Sequence, residues 1–132
     1  MRGTGTDASV LIQSLLTANN FGHGTFNLNN VAAFTYGVNP DNSPVGIPKN
    51  FAITVNDNGA FFNPQFTVGI RNYPGNGLRS QATILIHELS HLLSHANDDA
   101  NLFQDDFGIP KAEKWNDTLV DQNCRALIEG LQ

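Results

Sequence analysis

The chain has 132 residues, a formal charge of −5 and only seven Lys plus Arg, which excludes the clustered basic footprint of a nucleic-acid surface. That length closes one core but not two, so one domain over residues 1–132 and one site are expected, and no apolar run nears the ~18 residues of a membrane span. Hydrophobic residues at 40% with nine Phe support a packed interior rather than disorder.

In chain order, Asp7 to Ala18 carries Val10, Leu11, Leu15 and Ala18 at helical spacing, with Asp7 or Ser9 placed to cap it, and predicts a first helix. From Asn19 to Lys49 the glycines and prolines break the chain into loops with one or two short strands, VAAFTYGV being one apolar piece. FAITVNDNGAFF, Phe51 to Phe62, alternates Phe51, Ile53 and Val55 before Asn56 to Gly59, which predicts a hairpin. FTVGI, residues 66–70, is a candidate strand, and NYPGNG is turn material. Ser80 then opens the clearest helix, SQATILIHELSHLLSHA, whose apolar face is Ile84, Leu85, Leu89, Leu92 and Leu93. A polar acidic loop, NDDANLFQDDFGIP, leads to a last helix from about Lys111 to Leu131, with Trp115, Leu119, Val120, Cys124, Leu127 and Ile128.

The helix TILIHELSHLLSHA holds His87 and His91 around Glu88, the HExxH spacing. Residues i and i+4 share a helix face about 6 Å apart, so both imidazoles can aim at one point ~2 Å from each ring nitrogen, which suits Zn²⁺. Glu88 sits where its carboxylate can take the proton of a water whose pKa the ion lowers toward ~7. The competing reading is two ordinary core or surface histidines. It is disfavoured because unpaired His and Glu would be costly on the best amphipathic helix of the chain. His95 continues the series, but eight residues put it about 12 Å along the axis from His87, too far to share one ion. The third histidine of the metzincin pattern is absent, since Asn97 and Ser94 occupy the two diagnostic positions.

Catalytic zinc takes three protein ligands and keeps a fourth position for water, so a downstream carboxylate is required. Asp98 and Asp99 follow the helix closely, Asp106 lies in LFQDDFG, and Glu113 heads the last helix with Asp117 four residues on. The Glu113 layout is similar to that of gluzincins, where a second helix offers Glu to the metal and Asp to a ligand histidine. Asn116, Asp117 and Asp121 otherwise read as a polar helix face, with an orienting role open to one of them. Cys124 falls on the apolar stripe of its helix and reads as core, or as half of a bond to a residue outside this stretch.

TILIHELSHLL, the acidic loop and WNDTLVDQNCRALI, preceded by ITVNDNGAFFN and GLRSQATILIHE, together resemble small secreted bacterial zincin-type metallopeptidase domains related to the aspzincins. The likeness spans Phe51 to Leu131, and HExxH is its specific motif. The resemblance implies an Asp as third ligand, which carries over to Asp106. The aspzincin string G-T-x-D-x-x-Y-G is not present.

The expected fold is α+β and zincin-like: a small twisted sheet from residues 30 to 70 packed on the HExxH helix, with the C-terminal helix beneath. The 51–62 hairpin would be the edge to which an extended peptide adds. The expected function is zinc-dependent hydrolysis of internal peptide bonds, with His87, His91 and Asp106 holding Zn²⁺ and Glu88 as general base. Tyr36, Tyr73 and His95 are the candidates for stabilising the oxyanion. The alternative is a non-catalytic zinc-containing module, structural or surface-binding. A peptide or protein is the expected partner, with no nucleic acid, no membrane and a monomeric state. Few Lys and many Asn, Gly and Thr suggest a secreted or cell-surface bacterial protein, its signal not part of this chain because MRGTGTDAS lacks the charged-then-apolar form.

Overall fold

The computed structural model describes residues 21–25, 31–38, 50–96, 103–106 and 108–131. The helix expected over Asp7 to Ala18, and Asp98 and Asp99, lie outside the described residues. The architecture is α+β. Among the described residues, five strands, β1 (Phe21–Gly24), β2 (Ala33–Val38), β3 (Asn50–Asn56), β4 (Thr67–Val68) and β5 (Tyr73–Pro74), precede two helices, α1 (Leu78–Ala96) and α2 (Pro110–Glu129). None of the described helices is long and apolar enough to cross a membrane.

β3 is the centre of a three-stranded sheet, paired parallel to β1 (Ile53 opposite Phe21) and antiparallel to β2 (Ile53 opposite Thr35). Its alternation explains this position. Ile53 and Val55 are buried, and each contributes about 1.5–3 kcal/mol by leaving water. β4 and β5 form a separate two-stranded ribbon, so strand pairing extends from residue 21 to residue 74 rather than over 30–70 alone.

The expected hairpin at Phe51 to Phe62 does not form. Both edges of β3 are taken, and the Asn56 to Gly59 stretch winds into consecutive turns instead of reversing into a strand. Gly59 N–H donates to Asn56 O, and the Phe62 and Asn63 N–H groups both donate to Gly59 O. Asn56 is fully buried; its Nδ2 donates to Val31 O at 2.7 Å and its Oδ1 accepts from Asn58 N–H at 3.1 Å. Gly59 packs so close to the start of β2 that a Cβ there would meet Val31 O at 2.5 Å and Ala32 Cα at 3.0 Å. Asn56 and Gly59, which read as part of a reversal, instead dock the turn against residues 31 and 32.

α1 begins at Leu78, not at Ser80. Ser80 is the third helical residue; its Oγ donates to Gly77 O at 2.8 Å and accepts from Gly77 N–H at 3.1 Å, the reach-back half of a capping box. Thr83 and Ser90 are buried on the helix and donate their hydroxyls to the carbonyls of Arg79 and Ile86, so burying them leaves no orphan donor.

α1 lies between two apolar clusters. Ile84 joins Ala33, Val55 and Ala60 on the sheet side, while Ile86, on the opposite side of the helix, meets Phe103, Val120 and Ile128. α2 runs antiparallel to α1. Arg79 near the start of α1 donates to Glu129 O at the end of α2 and to Leu131 O just beyond it, and Arg71 grips Asp121 through Nε and Nη2. Pro110 suits the first position of α2, where no N–H partner is needed.

Candidate metal centre

Thr83, Ile84, His87, Glu88 and His91 fall on one stripe of α1, and that stripe forms a wall of a cleft of about 870 Å³. Val31 to Ala33 at the start of β2 and the 66–69 segment line it from the sheet side. Asp105 and Asp106, then Glu113 and Asp117 of α2, line it from the other.

His87 Nε2 lies 2.8 Å from Asp106 Oδ2, and His91 Nε2 lies 3.2 Å from Asp106 Oδ1. One ligand atom from each of the three residues falls within 4.8 Å of the others, so the group could hold a metal ion. A tetrahedron with ~2.0–2.1 Å metal bonds has edges of about 3.3 Å, against 3.2 Å from His91 and 2.8 Å from His87 to the Asp106 carboxylate in the metal-free chain. Two imidazole nitrogens and one carboxylate oxygen are the donor types that such an ion takes. Glu88 is buried and lines the same cleft.

The histidine rings are fixed from behind. Phe103 sets its ring edge-to-face against both, with centroids 5.0 Å from His87 and 4.8 Å from His91, and is itself buried in the cluster with Val120 and Ile128. His87 Nδ1 lies 3.0 Å from Asp117 Oδ1. Carboxylates thus face both nitrogens of one imidazole, and both contacts carry a hydrogen only when the ring is doubly protonated. Burial pulls the pKa of His87 down, but hydrogen bonds with Asp106 and Asp117 outweigh it and push it up to about 10 in the metal-free chain. Burial would raise Asp106, yet its bonds with His87, His91 and Asn116 hold it far below the usual carboxylate range. Glu113 is raised, first by burial and then by its neighbours Asp117 and Asp106.

Asn116 is fully buried and reaches the same carboxylate: its Nδ2 donates to Asp106 Oδ2 at 2.8 Å and to Gln104 O at 2.8 Å, while its Oδ1 accepts from Gln104 N–H at 2.9 Å. The short segment bearing Asp106 is further closed by Ile109 N–H donating to Asp106 O.

The structure therefore brings His87, His91 and Asp106 together with Glu88 on the cleft wall. Glu113 lines the cleft but is not one of the converging group. Asp121 points away, onto Arg71, and is the polar-face residue expected. Asn116 and Asp117, expected mainly as polar surface, instead touch two of the three converging residues. The sequence held a signal for Asn116, which falls at four-residue spacing on the stripe Ala112, Asn116, Val120, Cys124, Ile128, buried except for the half-buried Cys124, and is its one carboxamide. Of the oxyanion candidates, Tyr73 turns its hydroxyl toward Glu129 Oε1 at 3.5 Å and packs in the second cluster rather than lining the cleft. The side chains of Tyr36 and His95 lie outside the described set. Cys124 is a half-buried free thiol beside Phe103, Val120 and Ile128.

No protein-family model matches the chain, and comparison with curated proteins and with solved structures likewise finds no match.

Proposed function

We propose that the chain is a zinc-dependent endopeptidase with a zincin-like fold, aspzincin-like in taking an aspartate as its third ligand. The observation that carries this reading is the convergence of His87 Nε2, His91 Nε2 and the Asp106 carboxylate on one point of a cleft whose wall also bears Glu88. His87, His91 and Asp106 would hold the ion. When bound, Zn²⁺ polarises the substrate carbonyl and makes water acidic enough to ionise near neutral pH.

The chain's own residues do the rest. Glu88 takes a proton from the attacking water on its carboxylate; the water oxygen bonds to the carbonyl carbon, the C–N bond breaks, and the proton passes from Glu88 to the leaving amine nitrogen. Asp117 orients His87 through Nδ1, and Asn116 restrains Asp106. β3, buried between its neighbours, is not available to a substrate. β2, at a margin of the sheet with Val31 to Ala33 on the cleft, is the strand along which an extended peptide would lie.

The test is metal content together with cleavage of casein and a peptide mixture, in the parent and in Glu88→Gln. The parent is expected to hold one zinc and cleave; the variant is expected to keep zinc and lose about 10²–10⁴-fold in rate. One zinc per chain with no cleavage by either form would favour a structural or binding module. No zinc in the parent would remove the site.

A further inference from the structure

We infer that Asn116 is a positioning residue of the metal centre: its carboxamide draws on Oδ2 of Asp106 and so commits Asp106 to meet the ion through Oδ1 alone. The inference rests on the reading of His87, His91 and Asp106 as metal ligands, and not on peptide hydrolysis.

Asn116 occupies a position that the packing assigns to an apolar side chain. Its neighbours along the buried stripe are Ala112 and Val120, and its exposure is 0%. A carboxamide there costs several kcal/mol unless its bonds are made, so what it bonds explains its presence. Those bonds are Gln104 N–H, Gln104 O and Asp106 Oδ2. The first two anchor the backbone two residues before the ligand. The third, at 2.8 Å, falls on the carboxylate itself.

The two oxygens of Asp106 are therefore not equivalent. Oδ2 faces His87 Nε2 at 2.8 Å and already accepts from Asn116, which withdraws electron density from it, whereas Oδ1 faces His91 Nε2 at 3.2 Å and receives nothing from α2. A carboxylate that binds through one oxygen leaves a corner of a four-coordinate site for water; one that binds through both crowds that corner. An aspartate at 116 would have nearly the same shape and would still accept from Gln104 N–H. It would, however, set an oxygen where the amide donates, against Asp106 Oδ2.

The test uses Co²⁺ as a visible probe of ligand number, titrated into the parent and into Asn116→Asp, with circular dichroism confirming that each is folded. The parent is expected to give the intense absorption of a four-coordinate ion. Asn116→Asp is expected to bind Co²⁺ about 10–100-fold more weakly and with a fainter band per bound ion. In the ¹⁵N-labelled parent, the Asn116 side-chain amide resonances should move on adding Zn²⁺, a response that decides the matter even if the variant does not fold. A variant matching the parent in affinity and band intensity, or amide resonances indifferent to Zn²⁺, would overturn the role of Asn116 while leaving the ligands standing. A parent that binds no Co²⁺ would overturn both.

Discussion

His87 presents Nδ1 to Asp117 Oδ1 at 3.0 Å, so the first histidine of the motif is held by a helix thirty residues further along the chain. This contact fixes which nitrogen can face an ion: with Nδ1–H donating to Asp117, Nε2 is left for the metal. Replacing Asp117 by Ala should weaken Zn²⁺ binding about 10–100-fold, measured by competition with a chelating dye. Asp117→Asn should lose less, because its Oδ1 still accepts. Asp121→Asn, one helical turn on but bonded to Arg71, should leave zinc affinity at the parent value.

The metal-free protein should show a stability plateau bounded on both sides by this cluster. His87 is raised from 6.5 to about 10, so its contribution is complete below pH 6.5 and is lost as the pH climbs through about 10. Asp106 is depressed below 3.8, so its contribution is present above that value and is lost as the pH falls. Melting temperature in the presence of a chelator should be flat between about pH 4 and 6.5 and should decline toward pH 10. Because a metal must displace the proton on His87, zinc affinity should rise over that same upper range, with proton release visible by calorimetry in buffers of different ionisation enthalpy.

Phe103 joins the ligands to the core, its ring touching both imidazoles and its body buried with Val120 and Ile128. Phe103→Ala should cost about 3–5 kcal/mol in urea denaturation of the metal-free chain. Zinc affinity should fall as well, since the rings lose the surface that holds them.

Gly59 tests the turn that replaced the expected hairpin. A methyl group there runs into Val31 O and Ala32 Cα, both backbone, so Gly59→Ala should destabilise the protein by about 1–3 kcal/mol by denaturant midpoint. Gly22, with nothing within 4 Å of its missing Cβ, is the control, and Gly22→Ala should stay within about 1 kcal/mol of the parent.

The described cleft lining carries Glu88, Asp105, Asp106, Glu113 and Asp117 but neither Lys nor Arg. Among peptides of matched sequence, those with Lys or Arg beside the scissile bond should therefore have lower KM than those with Asp or Glu. The difference should shrink as salt rises toward 1 M, where charges are screened over about 3 Å. Equal KM values at low salt would count against an acidic cleft as the source of selectivity.

How much of this was legible in the sequence follows from the range of the interactions. His87, Glu88 and His91 could be read because their relation is local, one turn of a single helix. Asp106 came from a resemblance, and Glu113 competed with it on spacing alone; only the folded path of residues 103–106 separates them. The α+β class and both described helices were readable from their apolar periodicity. The 51–62 hairpin was misread because NDNG has turn chemistry in either outcome, and nothing local reveals that β1 and β2 already occupy both sides of β3. Asn116 was underestimated for a related reason: a polar residue on an apolar stripe looks like a flaw until its partners across the fold are known.

The order of the sheet also bears on how the chain comes off the ribosome. β1 and β2 pair with β3 and not with each other, and β3 is the last of the three to be translated. Neither earlier strand has its partner until β3 has emerged, so the three-stranded sheet cannot close before then. The helix bearing His87 and His91 follows soon afterwards and packs onto a surface that has only just come into being.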